Sequence, residues 1–222
     1  MCAVIGLHSK NYLDINLLRS ILNQSMIRGK HATGIAYLED GMIQHKILPT
    51  NAKDFVLPDI QTKQLIAHCR YSTSDLDWNQ PMLSYKHQIA LVHNGVITQQ
   101  APELWSDIYG YEFATKCDSE IALRMWIDDK HPLELGEESS MACVVLDNSG
   151  QQAQMHFFRN NQRPLYFAIQ SDTTIVASTR DIMMRSGIAS SSIKKTDMCK
   201  SYKISDQQIT YSEINIATQD LQ

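Results

Sequence analysis

Cys2 follows the initiator methionine directly and stands at the start of an apolar run, Ala3-Val4-Ile5-Gly6-Leu7. A residue as small as cysteine permits methionine aminopeptidase to remove Met1, so the mature chain is expected to begin at Cys2. One residue then carries a thiol and a free α-amine. Their ordinary pKa values, about 8.5 and roughly 7.7–8.0, allow proton exchange near neutrality. A nucleophile that brings its own base needs no separate catalytic histidine. The plainer alternative is a small residue at a strand start, selected for Met1 removal alone. Other reactive side chains gather in four short polar segments beside apolar runs. These are Arg28-Gly29-Lys30-His31-Ala32-Thr33-Gly34-Ile35, then His68-Cys69-Arg70-Tyr71-Ser72-Thr73 with Asn79-Gln80-Pro81 shortly after, then His93-Asn94-Gly95-Val96-Ile97, and Cys117-Asp118-Ser119-Glu120. Among them Arg70 offers a planar fork for a carboxylate, and Asp118 an anion for an ammonium group.

The elements that must hold these segments are short. Residues 3–7 read as a buried strand. Leu17, Leu18, Ile21, Leu22 and Met26 recur at helical spacing across residues 14–27, which predicts an amphipathic helix. Residues 34–38 and 42–48 flank Asp40-Gly41, a two-residue hairpin signal. Residues 50–63 read as a surface loop, 65–71 and 89–97 as strands, and 119–128 as a short helix. Strands at 141–146, 154–159, 164–169 and 173–178 follow, with a closing hairpin at 202–204 and 209–211. Two helices among about ten short strands imply antiparallel sheets covered by helices, an α+β layered domain. With no repeat, low-complexity tract or linker, residues 1–222 are expected to form a single domain.

Composition narrows the function classes. The 222 residues are 43% hydrophobic and 20% charged, the profile of a globular chain with one sizeable core. The net charge of −4 and the lack of a Lys/Arg block argue against a nucleic-acid partner. No apolar stretch approaches the roughly 20 residues that span a bilayer, and no basic-then-apolar leader is present. A membrane partner is therefore not expected, and a cytoplasmic location is. Cys2, Cys69, Cys117, Cys143 and Cys199 are odd in number and never spaced C-x-x-C, which argues for reduced thiols and against a disulfide framework or zinc site.

In order and spacing, the polar segments resemble the class II glutamine amidotransferases, whose glutaminase domain is an N-terminal nucleophile hydrolase. That family shows an N-terminal Cys start, R-G-x-x-x-x-G-I, H-x-R-[WY]-x-T, an N-x-P-type element, H-N-G-x-I and D-S-E, and each has its match here. A later element also matches, from Arg159-Asn160 to Pro164-Leu165. Each motif alone is weak; the ordered set spans essentially the whole chain.

The resemblance implies a four-layer αββα sandwich of two antiparallel sheets flanked by helices. It also implies hydrolysis of the glutamine side-chain amide through a Cys2 thioester, giving glutamate and ammonia. Asn94, through its side-chain NH2, and Gly95, through its backbone N–H, would stabilise the oxyanion, though Asn-Gly by itself is also a type I′ turn signal. Arg70 would bind the substrate carboxylate, with a rim ion pair as its alternative. Asp118 would bind the ammonium, with a helix N-cap as its alternative. Arg28 would support the Cys2 region, unless it caps the preceding helix. Tyr71 and Thr73 would line the glutamine pocket or pack the strand, and His68 and His93 read as structural. No metal or organic cofactor is implied. The partners implied are glutamine or another γ-glutamyl amide, and a synthase subunit accepting ammonia. A free-standing hydrolase of another γ-glutamyl amide, or a non-catalytic regulatory module of the same fold, are the alternatives. Two departures stand out. Ser74-Asp75-Leu76-Asp77 replaces a common His-Gly continuation of a mobile loop, and Ala177-Ser178-Thr179-Arg180 replaces a late A-S-E. The second is expected to lie away from the chemistry.

Overall fold

The computed structural model describes residues 1–72, 78–205 and 208–214. The first strand, β1 (Ala3–Ser9), leads into α1 (Ile15–Ser25). Asp14 caps that helix, its carboxylate accepting from the Asn16 N–H at 2.8 Å. Strands β2 (Ala32–Glu39) and β3 (Met42–Leu48) form a hairpin. Asp40 and Gly41 turn it with φ of 50° and 73°, the two positive values a type I′ turn requires. Then come β4 (Gln64–Arg70), β5 (Met82–Ser84), β6 (Ile89–Val96), α2 (Trp105–Tyr109) and α3 (Ser119–Ile127). The second half contributes β7 (Ser140–Asp147), β8 (Gln154–Arg159), β9 (Tyr166–Gln170), β10 (Thr173–Ala177), α4 (Arg180–Arg185), β11 (Lys194–Lys195), β12 (Lys200–Ser205) and β13 (Gln208–Glu213).

These strands make two antiparallel sheets. One has the order β11-β9-β10-β1-β4-β2-β3, the other β13-β12-β8-β7-β6-β5. Alternate side chains of each central strand enter different cores, because successive residues point to opposite faces. Ala3, Ile5 and Leu7 of β1 pack with Leu18, Ile21 and Leu22 of α1 and with Ile182 and Met183 of α4. Val4 packs into the space between the sheets with Val92, Val144 and Phe157. On the far side Met141, Cys143 and Val145 of β7 pack against Ile121, Ala122 and Leu123 of α3. Three cores separated by two sheets give the αββα order anticipated for the α+β layered domain.

The helix count needs correcting. Among the described residues there are four α-helices, where periodicity pointed to two. α2 and α4 have five and six residues, too few for a 3.6-residue repeat to register. α4 carries a local start signal nonetheless, since the Thr179 hydroxyl accepts from the Ile182 N–H at 3.4 Å. β5 and β11, three and two residues long, are likewise too short for a period-two pattern.

Candidate active site

The segments singled out by their chemistry converge at one end of the central strands. Ala3 of β1 pairs with Cys69 of β4, which leaves Cys2 level with Arg70. The Cys2 main chain is held on both sides. Its N–H donates to Asn94 Oδ1 at 3.1 Å, and its carbonyl accepts from Arg28 Nε at 2.8 Å. Arg28 therefore grips the Cys2 segment. The preceding helix is closed by its own backbone, through the Met26 N–H to the Asn23 carbonyl and the Ile27 N–H to the Gln24 carbonyl. Gly29 follows Arg28 because a Cβ there would lie 2.2 Å from the Cys69 carbonyl oxygen. The Cys2 Sγ lies 3.8 Å from the Tyr71 carbonyl oxygen. Burial pushes this thiol up, against the pull of the positive charges of the chain terminus, Arg70 and Arg28.

Asn94-Gly95 is not a turn. It continues β6, with Asn94 opposite Ala142 and Gly95 opposite Met141 on β7. Gly95 adopts φ 153°, and a Cβ there would fall 1.8 Å from the Ser140 carbonyl oxygen, so only glycine fits. The Asn94 Nδ2 is buried and has no partner among the described residues, although its Oδ1 is engaged by Cys2. A buried amide donor left unpaired costs about 1–3 kcal/mol.

A polar clasp fixes the height of this segment. Gln80 Oε1 accepts from the His93 N–H at 2.6 Å, and Gln80 Nε2 donates to the His93 carbonyl at 3.1 Å and to Ser119 Oγ at 3.0 Å. His93 Nδ1 lies 2.8 Å from Ser119 Oγ and Nε2 lies 3.1 Å from the Ser140 carbonyl. A carbonyl only accepts, so Nε2 carries the proton and the Ser119 hydroxyl donates to Nδ1. His93 is thus a satisfied structural histidine. His68 is buried too, and burial, with the Arg70 charge adding to it, holds it down to about 3, so it stays neutral.

Arg70 and Asp118 share a cavity of about 290 Å3, together with Trp78, Thr98, Trp105, Lys116 and Cys117. Arg70 Nη1 donates to the Trp78 carbonyl and, at 2.9 Å, to Asn79 Oδ1. Asp118 has helical φ and ψ of −59° and −21° and makes no side-chain cap. Its Oδ2 accepts instead from the Ile97 N–H at 2.6 Å, which ties the start of α3 to the residue after β6. The N-cap alternative is set aside by this geometry.

Two expectations change. Tyr71 does not line the Arg70–Asp118 cavity. It tilts against His31, with ring centroids 5.0 Å apart, and faces a separate cavity with Met1, Ile27, Arg28, Thr179 and Asp181. That cavity also corrects the expectation for the late Ala177-Ser178-Thr179-Arg180 element, which lies beside Met1. The β10–β1 pairing brings it there: Ser178 Oγ accepts from the Val4 N–H at 2.9 Å, and the Ser178 N–H donates to the Val4 carbonyl at 3.2 Å. Thr73 and Ser74 to Asp77 lie outside the described residues.

The sequence assigned no role to Gln80, Ser119, Ser140 or Asp181. Gln80 and Ser119 sit inside matched motifs, but nothing in a linear pattern says that they meet at His93. Cys69 and Cys143 are fully buried, and burial holds the Cys69 thiol up at about 12 and raises the Cys143 thiol as well. Burial and the Asp118 charge raise Cys117. No cluster of His, Cys, Asp or Glu suited to a metal ion occurs among the described residues. None of their helices is long and apolar enough to cross a membrane.

Comparison with known proteins bears on the fold and the family. The model of the glutamine amidotransferase domain family matches residues 58–218, a span that begins after Cys2. A glutamine–fructose-6-phosphate aminotransferase (isomerizing) of Clostridium perfringens is 34% identical over 132 residues, covering 54% of this chain and 21% of that protein. The same-named protein of Caldanaerobacter subterraneus is 30% identical over 136 residues, covering 56% of this chain and 22% of its own length. The chain thus matches about a fifth of the length of these curated relatives. Among solved structures, glutamine phosphoribosylpyrophosphate amidotransferase of B. subtilis superposes with a TM-score of 0.77 at 18% identity, over 97% of this chain and 50% of that one. A glutamine aminotransferase class-II domain protein of Silicibacter pomeroyi gives 0.62 at 10% identity, over 96% and 99%. At these identities the structures establish the fold, the two-sheet sandwich of N-terminal nucleophile hydrolases, and the family match over most of the chain establishes the kinship: the chain belongs to the glutamine amidotransferase domain family.

Proposed function

We propose that this chain hydrolyses the side-chain amide of glutamine with Cys2 as nucleophile, once Met1 has been removed. While Met1 is attached, the Cys2 nitrogen is an amide and has no basicity. Freed, it becomes an amine on the same residue as the thiol and takes the thiol proton as sulfur attacks the amide carbon. The C–S bond forms and the carbonyl oxygen becomes an oxyanion, accepting hydrogen bonds from Asn94 Nδ2 and the Gly95 N–H. Collapse breaks the C–N bond, and the proton held by the amine leaves with ammonia. A water then gives its proton to the same amine and attacks the thioester; the C–S bond breaks, glutamate leaves, and the amine returns the proton to the Cys2 sulfur. Arg70 receives the substrate carboxylate and Asp118 its ammonium, 48 positions apart in the chain yet lining one cavity.

The observation that carries this reading is the Asn94 side chain. Its acceptor end is tied to the Cys2 nitrogen, and its donor end is buried without a partner. A substrate oxyanion supplies what that donor lacks. The test is intact mass together with a glutamine-to-glutamate assay. Protein lacking Met1 should be active, Cys2→Ala inactive, and the glutamine-like electrophile diazo-oxo-norleucine should label Cys2 alone. Activity in protein that retains Met1 refutes the mechanism.

Ammonia released into water becomes protonated and is lost as a nucleophile. The curated relatives are named for transferring glutamine's amino group to fructose-6-phosphate. The proposal therefore includes a synthase site, in a separate subunit or elsewhere in the same assembly, that accepts the ammonia in the cytoplasm. Glutaminase activity that rises when such a partner and its acceptor are added supports this part. Full activity unaltered by any copurifying protein opposes it.

A further inference from the structure

The cavity lined by Met1, Ile27, Arg28, Tyr71, Thr179 and Asp181 encloses about 340 Å3 and shares no lining residue with the Arg70–Asp118 cavity. Its relation to the chemistry is set by a covalent bond. Met1 is joined to the Cys2 nitrogen, and in the hydrolysis proposed above that nitrogen returns the proton to the departing amine. The departing amine must lie within hydrogen-bond reach of it. Any substituent on that amine therefore sets out from the place where Met1 now sits. The Met1 side chain is linear and apolar, and its thioether sulfur lies 3.6 Å from Arg28 Nη2.

We infer that, with Met1 gone, this cavity receives the N-alkyl group of a γ-glutamyl amide. The substrate class then includes secondary γ-glutamyl amides with linear aliphatic leaving amines as well as glutamine. The inference rests on the Cys2 chemistry already proposed and adds only a place for the leaving group. The amide C–N bond breaks as the C–S bond forms, the amine leaves with the proton from the Cys2 amine, and water completes the cycle.

The lining fits such a group. Ile27 and Tyr71 are 76% and 46% exposed, an aliphatic and an aromatic surface left open beside a nucleophile. Arg28 has its Nε on the Cys2 carbonyl, so it lines the cavity from a fixed position. Thr179 contributes a short side chain whose hydroxyl accepts from the Ile182 N–H. Asp181 is the acidic member of the lining.

The test compares γ-glutamyl n-butylamide with γ-glutamyl ethylamide on Met1-free protein, alongside glutamine. The two amides share their reacting atoms, so their ratio isolates the alkyl chain. A methylene that leaves water is worth about two- to fourfold, so kcat/KM for the butylamide should exceed that for the ethylamide by roughly 4- to 15-fold. Ile27→Asp, at an exposed site outside the catalytic machinery, should bring the ratio close to one and leave glutamine turnover unchanged. A ratio at or below one with glutamine hydrolysed overturns the inference and leaves the glutaminase reading standing. A high ratio that Ile27→Asp does not alter also overturns it, because the alkyl chain then binds elsewhere. Hydrolysis of none of the three amides by Met1-free protein refutes both readings.

Discussion

Replacing Asn94 by alanine should remove catalysis while leaving the fold almost as stable as before. The structure sets the size of each effect. On the catalytic side the variant loses one of two oxyanion donors, and such a donor is worth about 2.7–4 kcal/mol, or roughly 10²–10³ in kcat. The glutamine head group contacts Arg70 and Asp118 in the proposed complex, so KM should change little. On the stability side three effects compete. The hydrogen bond from the Cys2 nitrogen to Asn94 Oδ1 is lost, at about 0.5–1.5 kcal/mol. The small void left behind costs about 1 kcal/mol. Against these, the unpartnered Nδ2 is no longer buried, which returns about 1–3 kcal/mol. The sum lies within about 1.5 kcal/mol of zero, a Tm change of at most about 3–6 °C for a chain of this length. Asn94→Asp sharpens the test, because it keeps the shape, exchanges the donor for an acceptor and places negative charge beside the forming oxyanion. Its kcat should fall below that of the alanine variant. The assays are glutamate release at saturating glutamine and calorimetric melting, both on Met1-free protein. A kcat within tenfold of the parent, or a Tm lowered by more than about 8 °C, refutes the argument that Asn94 is held ready for an oxyanion.

The remaining expectations are briefer. Cys2→Ala should abolish glutamine hydrolysis, whereas Cys69→Ala, Cys117→Ala and Cys143→Ala retain it; survival of activity in Cys2→Ala moves the nucleophile elsewhere. Arg70→Lys and Asp118→Asn should act chiefly on KM for glutamine, because head-group contacts persist from ground state to transition state; an effect confined to kcat contradicts the assignment. His131 and His156, packed around Trp126, are held down to about 4 by burial. A neutral histidine favoured in the folded state contributes stability above its ordinary value of about 6.5, and this is lost as pH falls towards 4, by at most about 1.4 kcal/mol per pH unit for each ring. Urea midpoints should fall between pH 7 and 4.5, and His156→Phe should flatten that dependence; an unchanged slope refutes it.

The chemistry was more legible in the sequence than the packing that supports it. Cys2, Arg28, Arg70, Asn94, Gly95 and Asp118 lie in ordered motifs, and motif order survives in one dimension. Which alternative each residue follows did not. Asn94-Gly95 reads equally as a hairpin turn, and only its pairing with Ala142 and Met141 makes it part of a strand. Asp118 precedes a helix, as a cap does, and only its bond to the Ile97 N–H takes it out of that role. The strands themselves lack strict alternation between apolar and polar residues, since both faces of each sheet are covered and Val4 and Ile5 are buried in opposite directions. The clasp of Gln80, His93 and Ser119 depends on contacts between residues far apart in sequence, which no local pattern records. Thr179 and Asp181 reach the neighbourhood of Cys2 only because β10 lies beside β1.

That last pairing has a consequence for how the protein is made. β1 is synthesised before the other strands, and one of its two neighbours, β10, follows about 170 residues later, Ile5 pairing with Ala177. At about 5–20 residues per second this is a delay of roughly 10–30 s. Throughout it Met1 is held by β1 alone or by the earlier β4, and the wall bearing Thr179 and Asp181 does not yet exist. The β10-side edge of β1 is meanwhile a row of unpaired N–H and C=O groups, open to pairing with another chain, whereas Met1 stays 66% exposed even after folding. Slow translation of the second half should therefore lengthen the exposure of that edge and favour aggregation of the nascent chain.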